Sequence, residues 1–200
     1  MKSIFAGIFI GLAGFAYLVE GGLSGAILFA FGLVCIVYLE LHLYTGMAGN
    51  LKLILSPYLI KDEFKTLGKV LLGNIFGTFL VAVLFNQTRP ELIGEIGGIL
   101  NSRLSCPYWS GFLKATGCGF IMDTIVYLYR DKKKILPILF GIPIFIELGF
   151  YHCIADAFYI TVGFLSGFSF DIKLLLMYLI TVLGNFLGCN LCRLLKTNNG

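Results

Sequence analysis

Apolar runs long enough to cross a bilayer recur along the whole chain, and two of them overshoot a single crossing. Six spans fit, at about 3–19, 23–58, 66–85, 108–129, 135–165 and 172–195. A straight helical crossing takes about 20 residues, so the second and fifth spans must be interrupted. The interruptions fall at matching places, one at 42–50 around Thr45, Gly46 and Gly49, the other near 149–156. Irregular backbone at membrane depth survives only where it is buried in protein or lines a cavity. Each break also leaves a half-helix N-terminus near the midplane, whose free N–H groups and partial positive charge favour an anion.

The letters repeat as well. Glu40-Leu41-His42-Leu43-Tyr44-Thr45 reads against Glu147-Leu148-Gly149-Phe150-Tyr151-His152. Further on, Leu72-Gly73-Asn74-Ile75-Phe76-Gly77 reads against Leu183-Gly184-Asn185-Phe186-Leu187-Gly188. The chain therefore reads as one transmembrane channel domain, 1–200, built by duplication: repeat one is about 1–87 and repeat two about 107–196. This register makes Thr45 and His152 equivalent residues. Three spans per repeat force the repeats to be inverted relative to each other. The expected fold is an all-α membrane protein of six transmembrane helices, two inverted three-helix repeats with broken second and fifth helices.

Composition agrees. The chain is 58% hydrophobic and 13% charged, with mean hydropathy +0.91. Soluble domains carry about 25% charged residues, and a chain of this size cannot bury so much apolar surface inside itself. Residues 1–19 lack the small-residue cleavage pattern of a secretory signal. With the N-terminus inside, Lys2, Lys52, Lys61, Lys65, Lys69, Arg130, Lys132, Lys133, Lys134, Arg193 and Lys196 fall on the cytoplasmic side. Arg89, Arg103 and Lys173 fall outside. That bias expects both termini in the cytoplasm of a cell whose inner membrane holds the protein. It also accounts for the net charge of +4 without nucleic acid as a partner.

Ionisable groups within spans are functional candidates, because their desolvation must be compensated. They are Glu40, His42, Lys114, Asp123, Glu147, His152 and Asp156. His152 stands out, since it sits at a break and histidine titrates near neutral pH. A backbone-bonded structural histidine is the competing reading. Thr45 offers one hydroxyl to a passing solute, or serves as a helix cap. Asn74 and Asn185, in apolar helices at matched sites, are expected to tie the broken segments to their neighbours. Glu40 and Glu147 read as members of a buried network. Cys189 and Cys192 have a C-x-x-C-like spacing, but no second pair or histidine cluster accompanies them, so the cysteines read as small packing residues and no metal or cofactor is expected.

Several motifs together resemble the formate/nitrite transporter family. The run 149–158, Gly-Phe-Tyr-His-Cys-Ile-Ala-Asp-Ala-Phe, is similar to its G-F-E-H-(S/C)-(I/V)-A-N-M-F signature. Leu43-Tyr44-Thr45-Gly46 resembles its looped second helix, Gly73-Asn74 and Gly184-Asn185 its G-N pairs, and Phe112-Leu113-Lys114-Ala115-Thr116-Gly117-Cys118 the start of its fourth helix. The resemblance covers nearly the whole chain. It implies an aquaporin-like protomer in a homopentamer, with Thr45 and His152 facing each other and Asn185 steadying them. It places apolar constrictions at Phe29, Leu33 and Phe145 toward the outside and at Leu43 and Tyr44 toward the cytoplasm. It puts the family's basic residue before the fourth helix at Arg103. The chain departs at Tyr151, where the family has Glu, and at Asp156, where it has Asn. Asp123 is a further extra carboxyl. If these lie on an anion path they must be neutralised, with Lys114 as the candidate partner for doing so.

The expected function is a channel, passive or proton-linked, for a small monovalent weak-acid anion such as formate, nitrite or hydrosulfide, with His152 as the proton donor in the linked case. A pore for small neutral solutes and a non-transporting membrane subunit are the alternatives. An enzyme is not expected, since no nucleophile–base set is visible.

Overall fold

The computed structural model describes residues 1–50 and 57–196, which are helical throughout apart from short connections. Lys52 and the side chains of Cys192, Arg193 and Lys196, which entered the charge and cysteine readings above, lie outside the described residues. The first half contains α1 (Lys2–Glu20), α2 (Gly22–Tyr38), the single-turn α3 (Tyr44–Met47) continued by a 3-10 turn (Ala48–Asn50), and α4 (Pro57–Thr88). After α5 (Ile93–Ser105) come α6 (Tyr108–Lys132), α7 (Leu136–Glu147), α8 (Cys153–Leu165) and α9 (Ile172–Lys196).

By length and composition α1, residues Lys61–Thr88 of α4 and residues Ile172–Leu191 of α9 can each cross a membrane. The apolar α2, α7 and α8 are shorter, as pieces of interrupted helices should be. Side chains are distributed inside out. Leu23, Phe31, Leu72, Trp109, Phe140 and Leu183 face outward, whereas Thr45, Asn74, Asp123, His152, Asp156 and Asn185 are buried. Hydrocarbon imposes this arrangement: outward leucines cost nothing there, and polar groups must find partners within the protein.

The same helix crossing is built twice. In the first half a Cβ at Gly7 would collide with the carbonyl oxygen of Asn74, and one at Gly77 with that of Ile4. In the second half Gly119 stands against the carbonyl of Asn185, and Gly188 against that of Thr116. Glycine thus brings the backbones of α1 and α4, and of α6 and α9, into direct contact, the close approach expected of small residues between membrane helices. The broken helices then exchange halves. α2 packs on α7 between the repeats, α8 crosses to α4 of the first repeat, and α3 with its 3-10 turn inserts against α6 and α9 of the second.

α5 is a difference from the sequence reading, which leaves 93–105 as a connection between spans. Its glycines, Gly94, Gly97 and Gly98, hide the helical signal. Ile96 and Leu100 are buried, α5 packs on α8, and Arg103 continues the same helical stripe one turn further. The helix therefore carries Arg103 to a cavity that His152 also lines.

Candidate functional site

Both breaks have one construction. At the first, Leu39 N–H donates to Cys35 O, Glu40 takes a left-handed backbone (φ 50°), and Leu41 N–H donates to Ile36 O. At the second, Leu148 N–H donates to Ile144 O, Gly149 is left-handed (φ 64°), and Phe150 N–H donates to Phe145 O. Leu43 and His152 then stand in extended conformation as the residues before α3 and α8. In this frame Glu40 corresponds to Gly149, Leu43 to His152 and Tyr44 to Cys153.

The structural frame is shifted by two residues from the one read off the letters. Thr45 and His152 are therefore not equivalent; the counterpart of His152 is Leu43. Matching Glu40 to Glu147 misled the alignment, because the two glutamates lie at different steps of the turn. Both are exposed, and neither belongs to a buried network.

Thr45 and His152 nevertheless meet. Thr45 Oγ1 lies 3.1 Å from His152 Nε2, and both residues are buried. The N–H of Ala155 donates to His152 Nδ1 at 3.3 Å. With the Nδ1 lone pair engaged, a neutral imidazole carries its proton on Nε2 and donates to Thr45 Oγ1. The Thr45 hydroxyl then keeps its own proton to donate elsewhere. Cys189 Sγ holds the other side of Thr45 by donating to its carbonyl at 3.2 Å.

Two cavities approach this pair from opposite sides and share no lining residue. The larger, about 440 Å³, is lined by Leu33, Leu43, Glu40, His42, Lys2 and Arg130 among others. The smaller, about 140 Å³, includes Phe29, Phe145, His152, Arg103, Asp156 and Tyr159. The Phe145 ring lies over the imidazole at 6.0 Å, and Phe29 meets Phe145 edge-on at 6.2 Å. Leu33, expected beside these phenylalanines, instead lines the opposite cavity with Leu43. Tyr44 lines neither cavity; its hydroxyl donates to Val182 O at 3.3 Å.

Asn74 and Asn185 are buried in the scaffold behind the pair. Each holds its break by side-chain hydrogen bonds to the backbone on both sides of Leu43 or His152. Lys114 is half-buried on α6, with its ammonium 5.1 Å from the Tyr151 ring centre. The partner of Asp156 is Arg103, not Lys114: Arg103 Nη2 lies 2.9 Å from Asp156 Oδ1, and Nε lies 3.3 and 3.4 Å from the two oxygens. Asp123 is buried against Gly49 in the middle of the 3-10 turn, and does not line the cavity that holds Asp156. Sequence reasoning also missed Arg130 as part of the break. It reads as a loop charge, yet its Nη2 donates to Gly46 O at 3.2 Å.

A family model described as formate/nitrite transporter matches residues 1–195. An uncharacterised transporter of Bacillus subtilis (strain 168) is 28% identical over 157 residues, which cover 72% of this chain and 59% of that protein. A protein of Methanothermobacter thermautotrophicus named "Probable formate transporter" is 26% identical, with 93% of this chain and 82% of that one covered. Among solved structures, one titled "Pentameric formate channel with formate bound" matches with TM-score 0.84 at 19% identity, covering 98% of this chain and 94% of that one.

Proposed function

The chain belongs to the formate/nitrite transporter family, and we propose that it conducts a small monovalent weak-acid anion, formate, nitrite, hydrosulfide or a near relative, through one path per protomer of a homopentamer. It is a membrane transport protein and not an enzyme. The observation that supports the path is the hydrogen-bonded Thr45–His152 pair standing between two separate cavities, with leucines on one side and phenylalanines on the other.

The geometry accounts for proton linkage. Moving a bare charge past Leu33 and Leu43 costs at least about 3 kcal/mol at membrane depth. An anion entering the smaller cavity meets Arg103 and His152 before it meets those leucines. The Thr45 hydroxyl and, once turned from Thr45, the His152 Nε2–H offer hydrogen bonds to the anion; the anion takes the Nε2 proton as a proton drawn from the cavity replaces it on that nitrogen, so the imidazole ends neutral. The solute then crosses the leucines as a neutral acid and loses its proton in the larger cavity, beside Lys2 and Arg130. The pairing of Asp156 with Arg103 removes an objection to anion passage, since a paired carboxylate repels an incoming anion far less than a bare one.

We place both termini in the cytoplasm of a cell's inner membrane, which puts the larger, lysine- and arginine-lined cavity inside. The halves are then inverted three-span units. Flux of formate, nitrite, hydrosulfide and glycerol in proteoliposomes at two pH values tests the function. Anion flux that grows as pH falls supports it, and glycerol flux without anion flux overturns it. Labelling of cysteines introduced at Lys133 and Lys173 tests the orientation. Reagent access to position 173 from outside is expected, and access to position 133 from outside overturns it.

A further inference from the structure

We infer that Asp156 is a specificity-determining residue: its carboxylate is a built-in competitor for Arg103, and it sets how much anion the smaller cavity needs before it fills. The inference deepens the reading above and rests on that reading for its choice of cargo.

Arg103 comes from the last turn of α5 and Asp156 from the first turn of α8, so their contact closes one wall of the cavity beside His152. The pair is well shielded, with side chains 15% and 4% exposed. Asp156 occupies two nitrogens of the guanidinium, Nη2 and Nε. The guanidinium carbon also lies over the Tyr151 ring, 3.8 Å from its centre. Its fork is thus oriented and already filled.

A small carboxylate or nitrite presents the same two oxygens to a guanidinium as the Asp156 side chain does. The two compete for one cation, but Asp156 is tethered. A tethered group acts at an effective concentration of millimolar or more, so dilute cargo does not displace it. Arg103 then attracts the anion through the edge Asp156 leaves free, without trapping it. A channel needs this compromise, since binding must be strong enough to enter and weak enough to leave. Where the cation stands unpaired, the same cavity becomes a binding site that holds its cargo and admits anions that cannot be protonated.

Asp156→Asn tests this, because it keeps the shape of the side chain and removes the competing charge. Formate flux and its inhibition by nitrate are measured in proteoliposomes for the wild type, Asp156→Asn, and Arg103→Gln/Asp156→Asn. The concentration of formate or nitrate that half-saturates thermal stabilisation of the purified protein is measured in parallel. In Asp156→Asn the half-saturating formate concentration should fall about tenfold or more, with nitrate now blocking flux. The double variant should return toward or above the wild-type value, because the gain depends on Arg103. Unchanged half-saturation in Asp156→Asn, or the same fall in the double variant, overturns the inference. A wild type that carries no formate overturns the functional reading instead, and the stabilisation midpoints alone then decide the competitor role.

Discussion

Asn74 and Asn185 make the same three hydrogen bonds in the two halves of the chain. Each Oδ1 accepts at 2.8 Å from the first N–H of a short helix, that of Tyr44 for Asn74 and of Cys153 for Asn185. Each Nδ2 donates to a carbonyl two residues earlier, that of His42 at 2.9 Å or of Tyr151 at 2.8 Å. Each Nδ2 donates again to the first helix of its repeat, at Ser3 O (2.7 Å) or Ala115 O (2.8 Å). One amide thereby spans the extended residue, Leu43 or His152, and satisfies backbone groups that the break would otherwise leave bare in an apolar surrounding.

Asn185→Leu removes one acceptor and two donors from the second break. Each buried backbone group left unsatisfied costs about 1–3 kcal/mol, so the variant should lose several kcal/mol. In detergent its thermal unfolding midpoint should fall clearly, and Asn74→Leu should do the same through the first break. A midpoint unchanged in either would show that the amide is redundant there.

Leu43 stands where His152 stands in the other repeat, and with Leu33 it lines the larger cavity; the proposed path makes these two leucines its barrier. Leu43→Ala should raise flux and weaken discrimination, letting glycerol through at a rate measurable by liposome swelling. Truncation of a buried leucine also costs about 2–5 kcal/mol, so the unfolding midpoint should drop alongside. Swelling in glycerol no faster than the wild type would remove Leu43 from the barrier.

Much of this was legible in the letters. Length against hydrophobic thickness showed that the second and fifth spans must break, but the intervals expected, 42–50 and 149–156, start late: the irregular residues are 39–43 and 148–152, and the short helices from Tyr44 and Cys153 already occupy the rest. The matched asparagines and His152 followed from polar groups in apolar runs. The equivalence of Thr45 with His152 did not survive, because the repeat of a break lies in its backbone hydrogen bonds. Taken in order, Cys35, Ile36 and Leu41 share no letters with Ile144, Phe145 and Phe150, yet they make the same bonds. The glycine-rich α5 gave no clear helical signal, and so the meeting of Arg103 with Asp156 could not be seen. Separation along the chain concealed it too, since the contact depends on α5 folding back over α8.

His152 donates from Nε2 while Nδ1 accepts from Ala155 N–H. His152→Asn keeps hydrogen-bonding capacity and loses the imidazole that can hand a proton to a solute. Wild-type formate flux should rise as pH falls from 8 to 5, and the variant should lose most of the rise while its oligomeric state, measured by size-exclusion chromatography with light scattering, stays that of the wild type. An identical profile would make His152 a cap for α8 with no part in proton transfer.

Tyr151 offers Arg103 a ring face, while its Oη is buried with no hydrogen-bond partner among the described residues. The ring, not the hydroxyl, should therefore matter. Tyr151→Phe keeps the cation–π contact and removes an unsatisfied polar atom, so its unfolding midpoint should equal or exceed that of the wild type, with formate half-saturation unchanged. Tyr151→Leu forfeits the contact, worth about 0.5–2 kcal/mol. It should unfold at a lower temperature and shift half-saturation, because the ring no longer holds Arg103 beside Asp156. If Tyr151→Phe is as impaired as Tyr151→Leu, the hydroxyl has a partner of its own, such as the permeating solute, and Tyr151 belongs to the path rather than to its wall.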